Sequence, residues 1–248
     1  MHVDNLVLEV TRKCNLKCAH CLRGSAQRLS MTPEIIHESM SEITSINSLT
    51  LTGGEPSLVP EVIEEVWLSL FWKKISVGFF YIVSNGLPHN KYGRFLAAVH
   101  RLYGWCDEQG ACALTISKDQ YHPRHKDQDR LFEKYWKRHI GDGEDYYGDD
   151  PAYFRPYDRK ERIEQPLTEG NALKNNIGVR PAPVQNPWAT DDSDVLNEIY
   201  ISANGNVTSE CNMSFHRIDK ECVGNVLKTP LSSIIASFSA KVDQKASF

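Results

Sequence analysis

The chain has no long apolar run. Its densest one, Val77 to Val83, is interrupted by Gly78 and is far too short to cross a bilayer. It has no excess of positive charge: the formal net charge is -4, so nothing in the composition points to nucleic acid or to a membrane surface. The opening MHVDNLVLEV lacks a basic stretch followed by a long apolar core, so no targeting segment is expected. There is no internal repeat and no long low-complexity tract. The cysteine count, seven, is odd, and no cysteine lies between positions 113 and 210. A secreted disulfide framework is normally even in number and spread along the chain. These cysteines read instead as metal-binding thiolates in a reducing, cytoplasmic setting.

What is present suits a globular protein. The 248 residues are 41% hydrophobic and 24% charged, which fits one large α/β domain or a domain with a small appendage. Strand-like and helix-like segments alternate through the first half. Leu6 to Thr11, Leu49 to Thr52, Phe79 to Val83 and Cys112 to Ser117 read as strands. Residues 32 to 44 read as a helix with Thr32 as its cap, Pro33 in its first turn, and Ile35, Ile36, Met40 and Ile43 at helical spacing. A second helix is expected over 60 to 72, with Val62, Ile63, Val66, Trp67 and Leu70 on one face, and a third over 91 to 105. Repeated strand–helix units imply a parallel sheet with helices outside, whose active edge is the C-terminal one.

The second half is less regular. A helix at roughly 126 to 139 precedes an acidic loop at 141 to 150, and 161 to 195 is rich in proline and loops. From Glu198, Ile199 and Ile201 alternate, Ala203 to Asn206 form a turn and Val207 resumes, which reads as a β-hairpin. A last helix is expected to begin near Pro230.

The chemistry-bearing residues fall at strand ends. Cys14, Cys18 and Cys21 are spaced C-x3-C-x2-C directly after the first strand. Three thiolates on one short loop suit three corners of a cubane cluster and leave one iron open to an exogenous ligand. The structural alternative is zinc, which prefers four protein ligands and paired C-x2-C spacing, with the fourth drawn from His20 or a distant cysteine. Gly53-Gly54-Glu55-Pro56 follows the second strand. Its two glycines allow close backbone approach, and Glu55 offers an acceptor for an ammonium group.

The cysteine loop, with Asn15, Leu16 and His20, and the Gly53–Pro56 motif together resemble the radical S-adenosylmethionine (radical SAM) enzymes. The resemblance covers residues 5 to 120 well and 198 to 240 loosely. It implies a partial (β/α)6 TIM-like barrel with a small C-terminal β-hairpin plus helix extension. It further implies one 4Fe–4S cluster on Cys14, Cys18 and Cys21, and S-adenosylmethionine (SAM) on the open iron. By the same resemblance His20 contacts the adenine, and Gly53, Gly54, Glu55 and Pro56 hold the amino end of SAM. Ser84 and Asn85, followed by Gly86, match the family's polar turn near SAM, and Ser117 and Asp119 match its S-x-D element. His122 then faces the substrate, and Thr168 to Ala172 match the glycine turn after the fifth strand.

Ile201 to Val207, Cys211 and Gly224 to Val226 resemble the hairpin region of SPASM or twitch extensions. The family's usual upstream cysteine is missing there, so the division expected is a core over 1–190 and an extension over 191–248 without its own cluster. Cys106 and Cys112 read as small buried side chains. The function implied is reductive cleavage of SAM to a 5′-deoxyadenosyl radical that abstracts hydrogen from a peptide or small-molecule substrate. The electron comes from a donor such as flavodoxin or ferredoxin. Two alternatives are an activase that installs a glycyl radical in a partner, and a zinc-stabilised, non-catalytic binding protein.

Overall fold

Strand β1 (His2–Thr11) lies at the middle of the sheet, and its inner positions explain why. Leu6, Leu8 and Val10 enter the main core while Val7 enters a second, smaller one, so β1 is covered on both faces. The computed structural model describes residues 1–87, 89–117, 122, 170–175, 177 and 196–246. The expected helix at 126–139, the acidic loop at 141–150 and nearly all of the 161–195 stretch lie outside them, as does Asp119.

The next elements are α1 (Pro33–Ser39), β2 (Ser45–Gly53), α2 (Pro60–Lys73), β3 (Ser76–Ser84), α3 (Tyr92–Tyr103) and β4 (Ala113–Ile116). They form the expected strand–helix alternation, with β1, β2, β3 and β4 paired in parallel. Thr32 caps α1 by accepting from the Ile35 N–H, and Pro33 occupies its first turn. The helix ends at Ser39, earlier than its apolar spacing suggests, although Met40 and Ile43 beyond it are still buried. In α2, Val62, Ile63, Val66 and Leu70 face the core, and Trp67 instead stacks on Phe71.

Further along come α4 (Gly170–Lys174), β5 (Leu196–Ile201), β6 (Asn206–Thr208), α5 (Phe215–Glu221), β7 (Gly224–Asn225) and α6 (Leu231–Ala246). The expected hairpin is β5–β6, antiparallel. Its first strand also pairs in parallel with β1, so the hairpin continues the barrel sheet. The strand order is β4-β3-β2-β1-β5-β6-β7, a mostly parallel α/β sheet consistent with a partial TIM-like barrel. Leu231, Ile234 and Ile235 of α6 join the main core. Among the described residues, no helix is long and apolar enough to cross a membrane.

Candidate functional site

The β1–β2 register shifts between Glu9 and Thr11. Such a bulge re-aims a strand end, and here the cysteine loop begins immediately after it. The base of that loop is closed like a neck. Arg12 N donates to Leu29 O (2.8 Å), Gln27 N to Arg12 O (2.9 Å) and Met31 N to Val10 O (3.0 Å), while the Thr11 hydroxyl donates to Leu29 O (2.9 Å).

Gly53 and Gly54 cross this neck. A Cβ on Gly53 would lie 2.0 Å from Thr11 O, and one on Gly54 would lie 2.2 Å from Lys13 O. Gly54 N and Glu55 N donate to Thr11 O and Lys13 O, each at 2.7 Å. The close approach that requires glycine is thus to the backbone leading into Cys14.

Glu55 is buried, and its carboxylate gathers the strand ends. Oε1 accepts from Ser57 N (3.1 Å) and from the Ser84 hydroxyl (2.7 Å), and Oε2 accepts from Asn85 N (2.7 Å). Burial pushes the Glu55 carboxyl up from its ordinary value, against the pull of these donors. The Asn85 amide donates to Asn15 Oδ1 at 2.8 Å, tying the end of β3 to the cysteine loop. Ser117 N donates to Ser84 O at 2.9 Å, which places Ser117 beside the same strand end. Pro56 opens a buried 3-10 turn. His20 meets His122 edge-on, with ring centroids 5.3 Å apart.

The three cysteines line one cavity of about 690 Å³, together with Asn15, Leu16, Gly54 and Asn171. All three are half-buried, and none is in a disulfide. Burial raises the Cys14 thiol, the Leu16 N–H opposes this, and the charges of Glu55 and Cys21 add to the rise. The donor set fits a cubane cluster. Its thiolates occupy one loop and open on one cavity, and each need reach only its own iron. The glycine motif, Ser84, Asn85 and Ser117 are brought together at the same C-terminal edge of the sheet.

The other cysteines are elsewhere. Cys106 and Cys112 are buried in the main core, Cys211 packs against the second core, and the Cys222 thiol lies 3.8 Å from Asp219 O. Burial and then the neighbouring Glu198 push the Cys211 thiol up to about 12.

The sequence did not single out Arg12, Ser57, the role of Asn171 in α4, or Asn175 just after that helix. Arg12 and Ser57 sit beside recognisable motifs, but which partners they meet depends on distant segments. Asn171 falls inside the expected glycine turn, and Gly170 does adopt a positive φ of 53°.

No family profile matches the chain. A stretch is 35% identical over 74 residues to the mitochondrial GTP 3′,8-cyclase of Arabidopsis thaliana, covering 26% of this chain and 18% of that protein. The structure is similar to that of anSMEcpe solved with bound AdoMet and the Cp18Cys peptide, with a TM-score of 0.52 at 14% identity over 94% of this chain and 80% of that one. The same enzyme with AdoMet and the Kp18Cys peptide gives 0.51 at 15% identity, with equal coverage. These likenesses and the parallel sheet lead to one conclusion: the chain has the partial-barrel fold of the radical SAM enzymes.

Proposed function

We propose that the chain is a radical SAM enzyme that holds one 4Fe–4S cluster on Cys14, Cys18 and Cys21 and binds SAM at the open iron. The observation that carries this reading is the single cavity shared by the three thiols and Gly54 at the C-terminal edge of a parallel sheet. When bound, the cluster would supply one electron to the sulfonium of SAM, whose C5′–S bond would break to release methionine and a 5′-deoxyadenosyl radical. The residues of the chain supply position and exclusion of water. The Gly53–Pro56 motif meets SAM through Gly54, which lines the cavity, with Glu55 holding Ser84 and Asn85 in place from behind. His20 and His122 form the wall toward adenine and substrate, and Ser117 adds a polar group beside Ser84; the assignment of Asp119 to SAM rests on the S-x-D motif alone. The substrate is a peptide or a small molecule. The fold likeness to an enzyme solved with a peptide bound favours the peptide. A flavodoxin or ferredoxin supplies the electron.

The zinc-stabilised alternative needs four side chains on one ion. Among the described residues, no three His, Cys, Asp or Glu side chains converge on a single ion position. Three thiolates on three different irons need no such convergence.

Anaerobic reconstitution is expected to give a brown protein with about four irons per chain. Reduced and supplied with SAM, it should form 5′-deoxyadenosine, and Cys18→Ala should abolish that product. A colourless, zinc-loaded protein, or persistent cleavage by the variant, overturns the assignment.

A further inference from the structure

Gly170 opens α4 directly against the cysteine loop. A Cβ on it would lie 2.3 Å from Leu22 O, 2.5 Å from Gly24 N and 2.7 Å from Cys21 O. Only glycine allows so close an approach at this positive φ. Asn171 then makes the bonds. Its backbone N–H donates to Cys21 O at 2.9 Å, and its side-chain amide donates to Cys18 O at 3.2 Å and Gly24 O at 3.4 Å. One turn later the Asn175 amide donates to Ala19 O at 2.9 Å. Two of these carbonyls also close turns within the loop: Cys21 N donates to Cys18 O and Gly24 N to Cys21 O, both at 3.2 Å.

We propose that Asn171, assisted by Asn175, is a positioning residue for the iron–sulfur cluster, clasping the half of the loop that carries Cys18 and Cys21. The inference rests on the reading of that loop as the cluster site. The clasp acts in two ways. Four loop carbonyls find donors outside the loop, so the turns between Cys18 and Gly24 are held without a metal. The amide dipoles also compensate carbonyl oxygens beside the cluster. Partners of this kind orient ligands and tune a metal centre. With the donors gone, the uncompensated carbonyls disfavour the reduced, more negative cluster, and its potential falls.

The test begins on apoprotein. Amide hydrogen exchange is followed in peptides covering residues 18–24 for the wild type, Asn171→Asp, Asn171→Ala, Asn175→Ala and Leu173→Ala. Asn171→Asp keeps the side-chain size but replaces a donor with an acceptor. Leu173 is 59% exposed on the same helix and serves as the control. The Asn171 variants should exchange roughly tenfold faster over 18–24. Peptides from β1 to β3 and the Leu173 variant should match the wild type. If Asn171 substitutions unfold the chain, the exposed Asn175→Ala variant reads the same local change at smaller size. In reconstituted protein, resistance of the iron to a chelator should fall by about 10- to 100-fold, with the midpoint potential moved to more negative values. Wild-type exchange over 18–24 in the Asn171 variants overturns the clasp, whatever the iron content. A wild type that takes up no iron overturns the cluster site and the positioning role with it.

Discussion

Arg12, two residues before Cys14, donates from both terminal nitrogens to the carboxylate of Asp219, at 2.7 and 2.8 Å, across 207 positions of sequence. Its Nε donates to Glu9 at 2.6 Å, and its guanidinium lies 4.8 Å from the centre of the Phe215 ring. Glu9 also accepts from the Tyr200 hydroxyl and from Ala203 N. The C-terminal segment is thereby fastened beneath the root of the cysteine loop. Burial opposes the Arg12 charge, but the two carboxylates outweigh it and hold the guanidinium protonated.

Arg12→Met should be strongly destabilising. It leaves Glu9, which is fully buried, without its cation. Removing one partner of a buried pair costs about 3–5 kcal/mol. Asp219→Asn should cost much less, because the Asp219 side chain is 41% exposed and water screens its pairing. Urea unfolding midpoints compare the two. Equal losses would show that Asp219, rather than Glu9, is the partner that matters.

The same pair predicts the acid limb of stability. Burial would raise the Asp219 carboxyl, but hydrogen bonds and charge from Arg12, with help from Asn204 and Asn206, hold it below its ordinary value. An unfolded aspartate titrates near about 3.9. Below that pH the unfolded chain binds more protons, so stability falls as pH drops through the folded pKa. The contribution is complete above about pH 4. Asp219→Asn should therefore flatten the stability profile below pH ~4 and leave its shape near neutrality unchanged. Thermal melts across pH 2 to 7 measure this.

Glu55→Gln should weaken the site more than its size suggests. The carboxylate accepts from three donors: Ser57 N, the Ser84 hydroxyl and Asn85 N. An amide presents one acceptor oxygen and one donor nitrogen, so at least one of those N–H or O–H groups is left facing another donor. An unsatisfied buried group costs about 1–3 kcal/mol. Faster amide exchange at Asn85 and weaker SAM binding are the expected readouts. A variant that binds SAM as tightly as the wild type would show that Glu55 is structurally dispensable.

The four remaining cysteines should hold no iron. Cys106 and Cys112 sit in the main core and Cys211 packs on the second. Replacing Cys106, Cys112, Cys211 and Cys222 with Ala should leave about four irons per chain after reconstitution. About eight irons in the wild type, falling to about four in the variant, would reveal a second cluster.

Much of the site could be read along the chain. Cys14, Cys18 and Cys21 are close in sequence, so their spacing alone confines the thiols to one loop. Gly53, Gly54 and Glu55 sit where the alternation of β2 stops, and Ser84 and Asn85 end β3 in the same way. Strand ends are local signals, and a parallel sheet gathers them on one edge. The helices were equally legible: Thr32 and Pro33 mark the start of α1, and the apolar spacing of α2 names most of its buried face.

What lay out of reach were partners set by long-range pairing. Nothing near Arg12 announces Asp219, and nothing near Asn171 announces the Cys18 and Cys21 carbonyls. A hairpin at Ile199 to Val207 follows from alternation and a turn. That its first strand pairs with β1 does not follow, because strand neighbours in a sheet are chosen by packing of both faces. The sequence by itself determined which atoms form the thiolate loop, because ligand spacing is a local property. Tertiary structure alone decided what grips that loop, because its short turns satisfy only some of its own carbonyls, and others, such as Ala19 O and Gly24 O, take their donors from a distant segment.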